Sequence, residues 1–176
     1  MEHIVQEQFL PISRQEAWDF FSHPLNLDKI TPDDLGFSTT SCPDGPVYPG
    51  AIIIHKIKLA PFLSIPWVTE IKAVEEGRSF VDEQRFGPYR FWHHRHSFLD
   101  AEGGVLIRDE VHWKAPFEPF SAPVKALFVK PKTLGIFEHR KKILADYFSK
   151  TATDEPPARA SAASAAERPP SGDPAE

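Results

Sequence analysis

Polar and apolar residues alternate most regularly over Arg90–Leu99 and Val105–Ala115. In the first segment Trp92, His94, His96 and Phe98 fall on one face, and Phe91, His93, Arg95 and Ser97 on the other. In the second, Val105, Ile107, Asp109, Val111 and Trp113 oppose Leu106, Arg108, Glu110, His112 and Lys114. Period-two alternation predicts strands with one buried face. Two histidines and an aspartate therefore point into an otherwise apolar interior, where polar groups need partners, a ligand or a reaction.

The rest of the chain supplies further elements. His3–Ile12 reads as a first strand, with Val5, Phe9 and Ile12 as its inward residues. Ser13-Arg14-Gln15-Glu16 is a capping box that opens a helix with Ala17, Trp18, Phe20 and Phe21 on its apolar face. Leu25, Leu27 and Ile30 suggest a second short helix ending near Thr31-Pro32. Strands follow at Gly36–Ser41, Ala51–Leu59 (Ile53, His55, Ile57 and Leu59 on one face), Ile65–Glu75 (Trp67, Thr69, Ile71, Ala73) and Arg78–Phe86 (Phe80, Asp82, Gln84, Phe86). Gly87-Pro88 and Glu102-Gly103-Gly104 are turn signals. Beyond Pro116–Ser121, the spacing of Val124, Leu127, Phe128, Leu134, Phe137, Leu144, Tyr147 and Phe148 predicts a long helix, kinked or interrupted at Pro131. The basic run His139–Lys142 reads as a solvated part of that helix.

The order strand, two helices, six strands, long helix predicts an α+β fold in which a curved antiparallel sheet of about seven strands wraps the C-terminal helix. Residues 1–150 form one domain. From Thr151 to Glu176 no large apolar side chain occurs, which predicts a disordered Ala/Pro-rich tail. Short hairpin loops set His96 opposite Asp109, Trp92 opposite Trp113, Asp82 opposite His94 and Gln84 opposite Trp92.

Composition narrows the function classes. A net charge of -5, with Lys and Arg scattered, disfavours a nucleic-acid surface. Cys42 is the only cysteine, so neither an internal disulfide nor a cysteine-based metal site can form. The N-terminus lacks a basic and then hydrophobic leader, and no apolar run reaches the ~20 residues of a membrane span. A soluble, cytoplasmic protein is expected. Gly-rich phosphate loops, serine nucleophile elbows and cysteine nucleophile settings are absent from the sequence.

The run Phe80-Val81-Asp82-Glu83-Gln84-Arg85-Phe86-Gly87-Pro88-Tyr89-Arg90-Phe91-Trp92-His93-His94-Arg95-His96-Ser97-Phe98, followed by Asp109-Glu110-Val111-His112-Trp113 and Pro116, carries a family resemblance. With the element order over about residues 1–149, it resembles the START-like or SRPBCC superfamily with the helix-grip fold. More narrowly it resembles a bacterial subgroup related to polyketide cyclase and coenzyme Q-binding domains. Some members of that subgroup carry the label "cell division inhibitor" beside an epimerase-like domain. The resemblance implies a START-like ligand-binding domain with a hydrophobic cavity between sheet and C-terminal helix.

The expected ligand is a hydrophobic small molecule: a lipid, quinone, polyketide or other aromatic or terpenoid compound. Polar anchoring falls to His94, His96, Asp109, Asp82 and Gln84, and aromatic lining to Trp67, Trp92 and Trp113, with His55 and Phe128 as further lining residues. The alternative is a cyclase, dehydratase or isomerase in which His94 or His96 is the base and Asp109 or Asp82 orients it. A third reading is an interaction protein with a vestigial pocket. His-x-His with Asp82, Asp109 or His55 has the ligand types for zinc or iron. An acid facing each imidazole instead favours outer hydrogen bonds, so neither metal nor cofactor is expected. Structurally, the same Asp–His pairs can simply satisfy one another, and the tryptophans can be core. Apolar loops at Pro61–Pro66 and Pro116–Phe120 suit cavity gating or transient membrane-surface contact.

Overall fold

The computed structural model describes residues 1–32, 36–60, 62–116 and 130–154. Alternating sequence segments become β1 (Glu2–Leu10), β2 (Ser38–Ser41), β3 (Ile52–Ala60), β4 (Leu63–Glu75), β5 (Ser79–Phe86), β6 (Phe91–Ala101) and β7 (Gly104–Lys114). Helices α1 (Arg14–Phe21) and α2 (Asn26–Lys29) join β1 to β2, and α3 (Lys130–Asp154) follows the sheet. All seven strands form one antiparallel sheet ordered β1-β7-β6-β5-β4-β3-β2. Strands β2 to β7 are a simple meander, and β1 closes on its far end beside β7.

Local chemistry accounts for several element ends. The Ser13 hydroxyl accepts from the Glu16 amide while the Glu16 carboxylate accepts from the Ser13 amide, so the predicted capping box starts α1. Gly103 holds φ 77 in the β6–β7 turn, which ordinary side chains rarely adopt. Pro131 is the second residue of α3 as described, and the expected kink or interruption concerns the segment before Lys130, which lies outside the described residues. Residues 117–129, including Leu127 and Phe128, and 155–176 lie outside the described residues, as do the side chains of Leu134 and Phe137. The helix itself continues four residues past Lys150.

Three strands differ from the expected faces. On β1 it is Ile4 and Leu10 that are buried, whereas Val5 is 36% and Phe9 47% exposed. The inward positions between them are Gln6 and Gln8, which reach α3: Gln8 Nε2 donates to the Lys141 carbonyl at 2.9 Å, and Lys141 Nζ donates to Gln6 Oε1 at 3.0 Å. On β4 a register shift between Ile71 and Ala73 turns Ala73 outward and places Val74 opposite Phe80. The end of β5 also departs, for Phe86 is exposed.

The inner face carries two apolar clusters. One joins Leu10, Trp18, Phe20, Ile71, Phe80, Phe98, Ile107, Leu144 and Phe148. The other joins Ile4, Trp92, Val111, Trp113 and Ala115, with Trp67 and Tyr89 against them. Leu144 and Phe148, one helical turn apart, dock α3 on this face, and Phe148 meets Phe20 with ring centroids 5.3 Å apart. Between the two clusters, β6 and β7 place His94, His96 and Asp109.

Candidate functional site

Register builds the site. Three of the expected cross-strand pairs are present: Asp82 with His94, His96 with Asp109, and Trp92 with Trp113. The β5–β6 pairing ends at Glu83 and His93, before Gln84 would meet Trp92. Gln84 instead clamps its own hairpin turn, donating to the Tyr89 carbonyl at 2.6 Å and accepting from the Tyr89 amide at 3.2 Å.

The two aspartates and two histidines form a closed ring. His94 Nε2 lies 3.0 Å from Asp109 Oδ1, and His96 Nε2 lies 3.0 Å from Asp82 Oδ2. The second nitrogens cross over: His94 Nδ1 is 3.4 Å from Asp82 Oδ2, and His96 Nδ1 is 2.8 Å from Asp109 Oδ1. That last contact is close but off the N–H direction, so it acts as charge pairing more than as a hydrogen bond. The imidazoles lie against each other, centroids 3.8 Å apart, and Phe80 stacks on His96 at 4.3 Å.

Charge within the ring is divided unequally. Burial opposes ionisation of His96, but Asp109 and Asp82 outweigh it and raise its pKa to about 9. Burial and the neighbouring His96 charge push His94 down, so it stays neutral. Burial works against both carboxylates too, yet the histidines hold Asp109 and Asp82 below the ordinary carboxylate range, with Arg140 also acting on Asp82. Arg140 is itself lowered by burial while Asp109 and Asp82 sustain its charge. With Asp82 and Asp109 anionic, and His96 and Arg140 cationic, the group is neutral as a whole.

Arg140 corrects the sequence reading of His139–Lys142 as a solvated run. It faces the cavity because Arg140, Leu144 and Phe148 recur at intervals of four and share one helix face. That spacing was the available signal.

The ring forms one wall of a cavity of about 430 Å³. Other walls come from α1 and α2 (Phe20, Leu27, Ile30), from β3 and β4 (Ile53, His55, Ile57, Trp67, Thr69, Ile71) and from Tyr89, Trp92 and Arg140. Of the expected ligand-binding residues, His55, Trp67, Asp82, Trp92, His94 and His96 line this space. Asp109 stands behind the histidines, Trp113 is buried in the second apolar cluster, and Gln84 is held in the turn. Phe128 lies outside the described residues. The buried Trp67 Nε1–H has no acceptor among the described residues.

His55 is a separate polar feature. Its Nδ1 lies 3.0 Å from Thr39 Oγ1, and Thr39 donates to Asp28. Burial lowers its pKa to about 4, against the pull of Asp28 and Asp82. The unfolded chain therefore takes up a proton near pH 6.5 that folded His55 accepts only near pH 4. Stability present above pH 6.5 is lost as pH falls through this window, by up to about 3 kcal/mol. Urea denaturation at stepwise pH should show that loss, and His55→Asn should flatten it. An unchanged slope in the variant rules out His55 as its source.

Two groups among the described residues bring three metal-ligand atoms within 4.8 Å of one another: Asp82, His94 and His96 inside the sheet, and His3, Glu110 and His112 on its outer face. On that outer face the His3 and His112 rings stack at 4.2 Å, and Glu83 pairs with His93. Among the described residues no helix is long and apolar enough to cross a membrane. Phe62 and Leu63, at the β3–β4 tip, are exposed.

No protein-family model and no curated protein matches the chain. Solved structures do. Protein Ms6760 from Mycobacterium smegmatis is 14% identical, with TM-score 0.61 over 85% of this chain and 92% of its own. Ara h 8.0201 is 16% identical, with TM-score 0.54 over 82% and 98%. The nucleoside-diphosphate sugar epimerase from Corynebacterium glutamicum is 23% identical, with TM-score 0.61 over 85% of this chain but 30% of its own. At these identities the likeness establishes the fold alone: a curled seven-stranded antiparallel sheet with a C-terminal helix, consistent with an α+β helix-grip fold.

Proposed function

We propose that residues 1–150 bind a hydrophobic small molecule, such as a lipid, quinone, polyketide or aromatic or terpenoid compound, between the sheet and the C-terminal helix. The observation that carries this reading is a largely apolar cavity of about 430 Å³ with polar groups gathered on one wall. That combination suits a ligand with an apolar body and one polar end. His94, His96 and Arg140 meet the polar end, Trp67 and Trp92 flank the body, and the Trp67 Nε1–H, without an acceptor among the described residues, offers a further donor. The bacterial subgroup related to polyketide cyclase and coenzyme Q-binding domains, and a cytoplasmic setting with neither nucleic acid nor integral membrane segment, belong to the same proposal. Contact with a membrane surface falls to the exposed Phe62–Leu63 tip.

Native mass spectrometry of protein purified from cells tests this directly. An apolar small molecule should be retained, and His94→Ala should weaken it about tenfold, the loss of one hydrogen bond. Recovery of no such molecule, together with failure to bind an added fluorescent apolar probe, sinks the reading. A second reading rests on neutral His94 lying against protonated His96, a base beside an acid. A cyclase, dehydratase or isomerase would then lose turnover by orders of magnitude in His94→Ala while keeping its ligand.

A further inference from the structure

The Asp82–His94–His96 group has an orientation that mutual satisfaction does not require. Each imidazole turns one nitrogen to Asp109 and the other to Asp82. Asp109 Oδ1 is hydrogen-bonded to His94 Nε2 at 3.0 Å and lies 2.8 Å from His96 Nδ1 as a charge contact, so one carboxylate backs both rings. The opposite nitrogens, His94 Nδ1 and His96 Nε2, converge on the single oxygen Asp82 Oδ2 at 3.4 and 3.0 Å. With metal–donor bonds of about 2.0–2.1 Å, neighbouring ligands of a tetrahedral ion stand about 3.3 Å apart. The two observed separations lie on either side of that figure.

We propose that Asp82 Oδ2, His94 Nδ1 and His96 Nε2 bind a divalent transition-metal ion of the zinc or ferrous class, with Asp109 orienting both imidazoles from behind. This rests on the cavity reading above, because Asp82 and both histidines line the cavity and leave the fourth position facing its ligand. The expectation of outer hydrogen bonds alone is thereby revised: one acid takes that role for both rings, which frees the other to coordinate. A His-His-carboxylate set with an outer carboxylate on the imidazoles is a recurrent arrangement for such ions. Arg140 faces both carboxylates and offsets one of them. A divalent ion with neutral imidazoles therefore leaves one excess positive charge, and an anionic oxygen donor (a carboxylate, enolate or phenolate) is the matching fourth ligand.

The full chain, stripped with a chelator, should be titrated with Co2+ and with Zn2+. One equivalent of Co2+ should bind with the visible absorption of a four-coordinate site, and Zn2+ should displace it. Asp82→Asn and His94→Gln should each weaken Co2+ by more than about 100-fold, and Asp109→Asn by about 10–100-fold. Near-UV circular dichroism of the tryptophans verifies that each variant is folded. His3→Ala/His112→Ala should leave the site unchanged. Absence of Co2+ binding, or binding lost in the His3/His112 variant and kept in Asp82→Asn, overturns the proposal. Binding of 1-anilinonaphthalene-8-sulfonate to the stripped protein is read in parallel. If the dye binds and Co2+ does not, the metal inference fails alone; if Co2+ binds and the dye does not, the apolar-cavity reading fails.

Discussion

Asp109→Asn should lower the unfolding free energy by about 3–5 kcal/mol, the loss expected when one partner of a buried charge network is removed. Asp109 faces His94, His96 and Arg140 at once, so its loss strands buried positive charge. Asp82 alone would remain to balance His96 and Arg140. The protein can relieve part of this by releasing the His96 proton, so the imidazole pKa should fall from about 9 towards neutrality. Urea denaturation gives the first quantity and NMR titration of the His96 ring the second. A variant as stable as the parent, with an unchanged His96 titration, would mean that Asp109 does not hold the ring together.

Phe98→Ala is expected to be as damaging for a different reason. Phe98 is 1% exposed, and its ring meets Trp18 at 5.8 Å, Phe21 at 5.6 Å and Phe80 at 6.3 Å. It is the point where α1 is pinned to β5 and β6. Removing the ring forfeits its burial and leaves a cavity the surrounding aromatic residues cannot fill, a loss of about 3–5 kcal/mol. Phe62→Ala, at a fully exposed position, should change stability by less than about 0.5 kcal/mol. Comparable denaturation midpoints for the two variants would refute this account of the core.

Much of the site was legible because β6 and β7 follow strict alternation across short turns, so face and register could both be read from one pattern. Where that pattern was interrupted, the reading went astray. Gln6 and Gln8 look like an outward face, yet they turn inward because a helix supplies the Lys141 carbonyl and side chain as partners. The irregular β4–β5 pairing put Ala73 on the wrong face. Gln84 has the right parity for the cavity wall, but its own turn offers nearer partners. Arg140 was hidden by the composition of its neighbours, although its interval of four from Leu144 and Phe148 shows the shared face. Coordination geometry was beyond sequence altogether, since it depends on which nitrogen of each imidazole meets which aspartate.

The polar band between the two apolar clusters bears on how the sheet chooses its pairing. A one-residue slip of β6 would bring Arg95 and His93 inward and turn His94 and His96 towards solvent. An all-apolar band would tolerate such a slip more easily, because hydrophobic contacts are undirected. The ring tolerates it poorly, since Asp82, the two histidines and Asp109 meet only when β5, β6 and β7 are aligned together. Replacing all four by apolar residues of similar size could leave stability unchanged or raise it by about 1–4 kcal/mol. What such a chain would surrender is the penalty on misaligned sheets, and with it the uniqueness of its hairpin alignment.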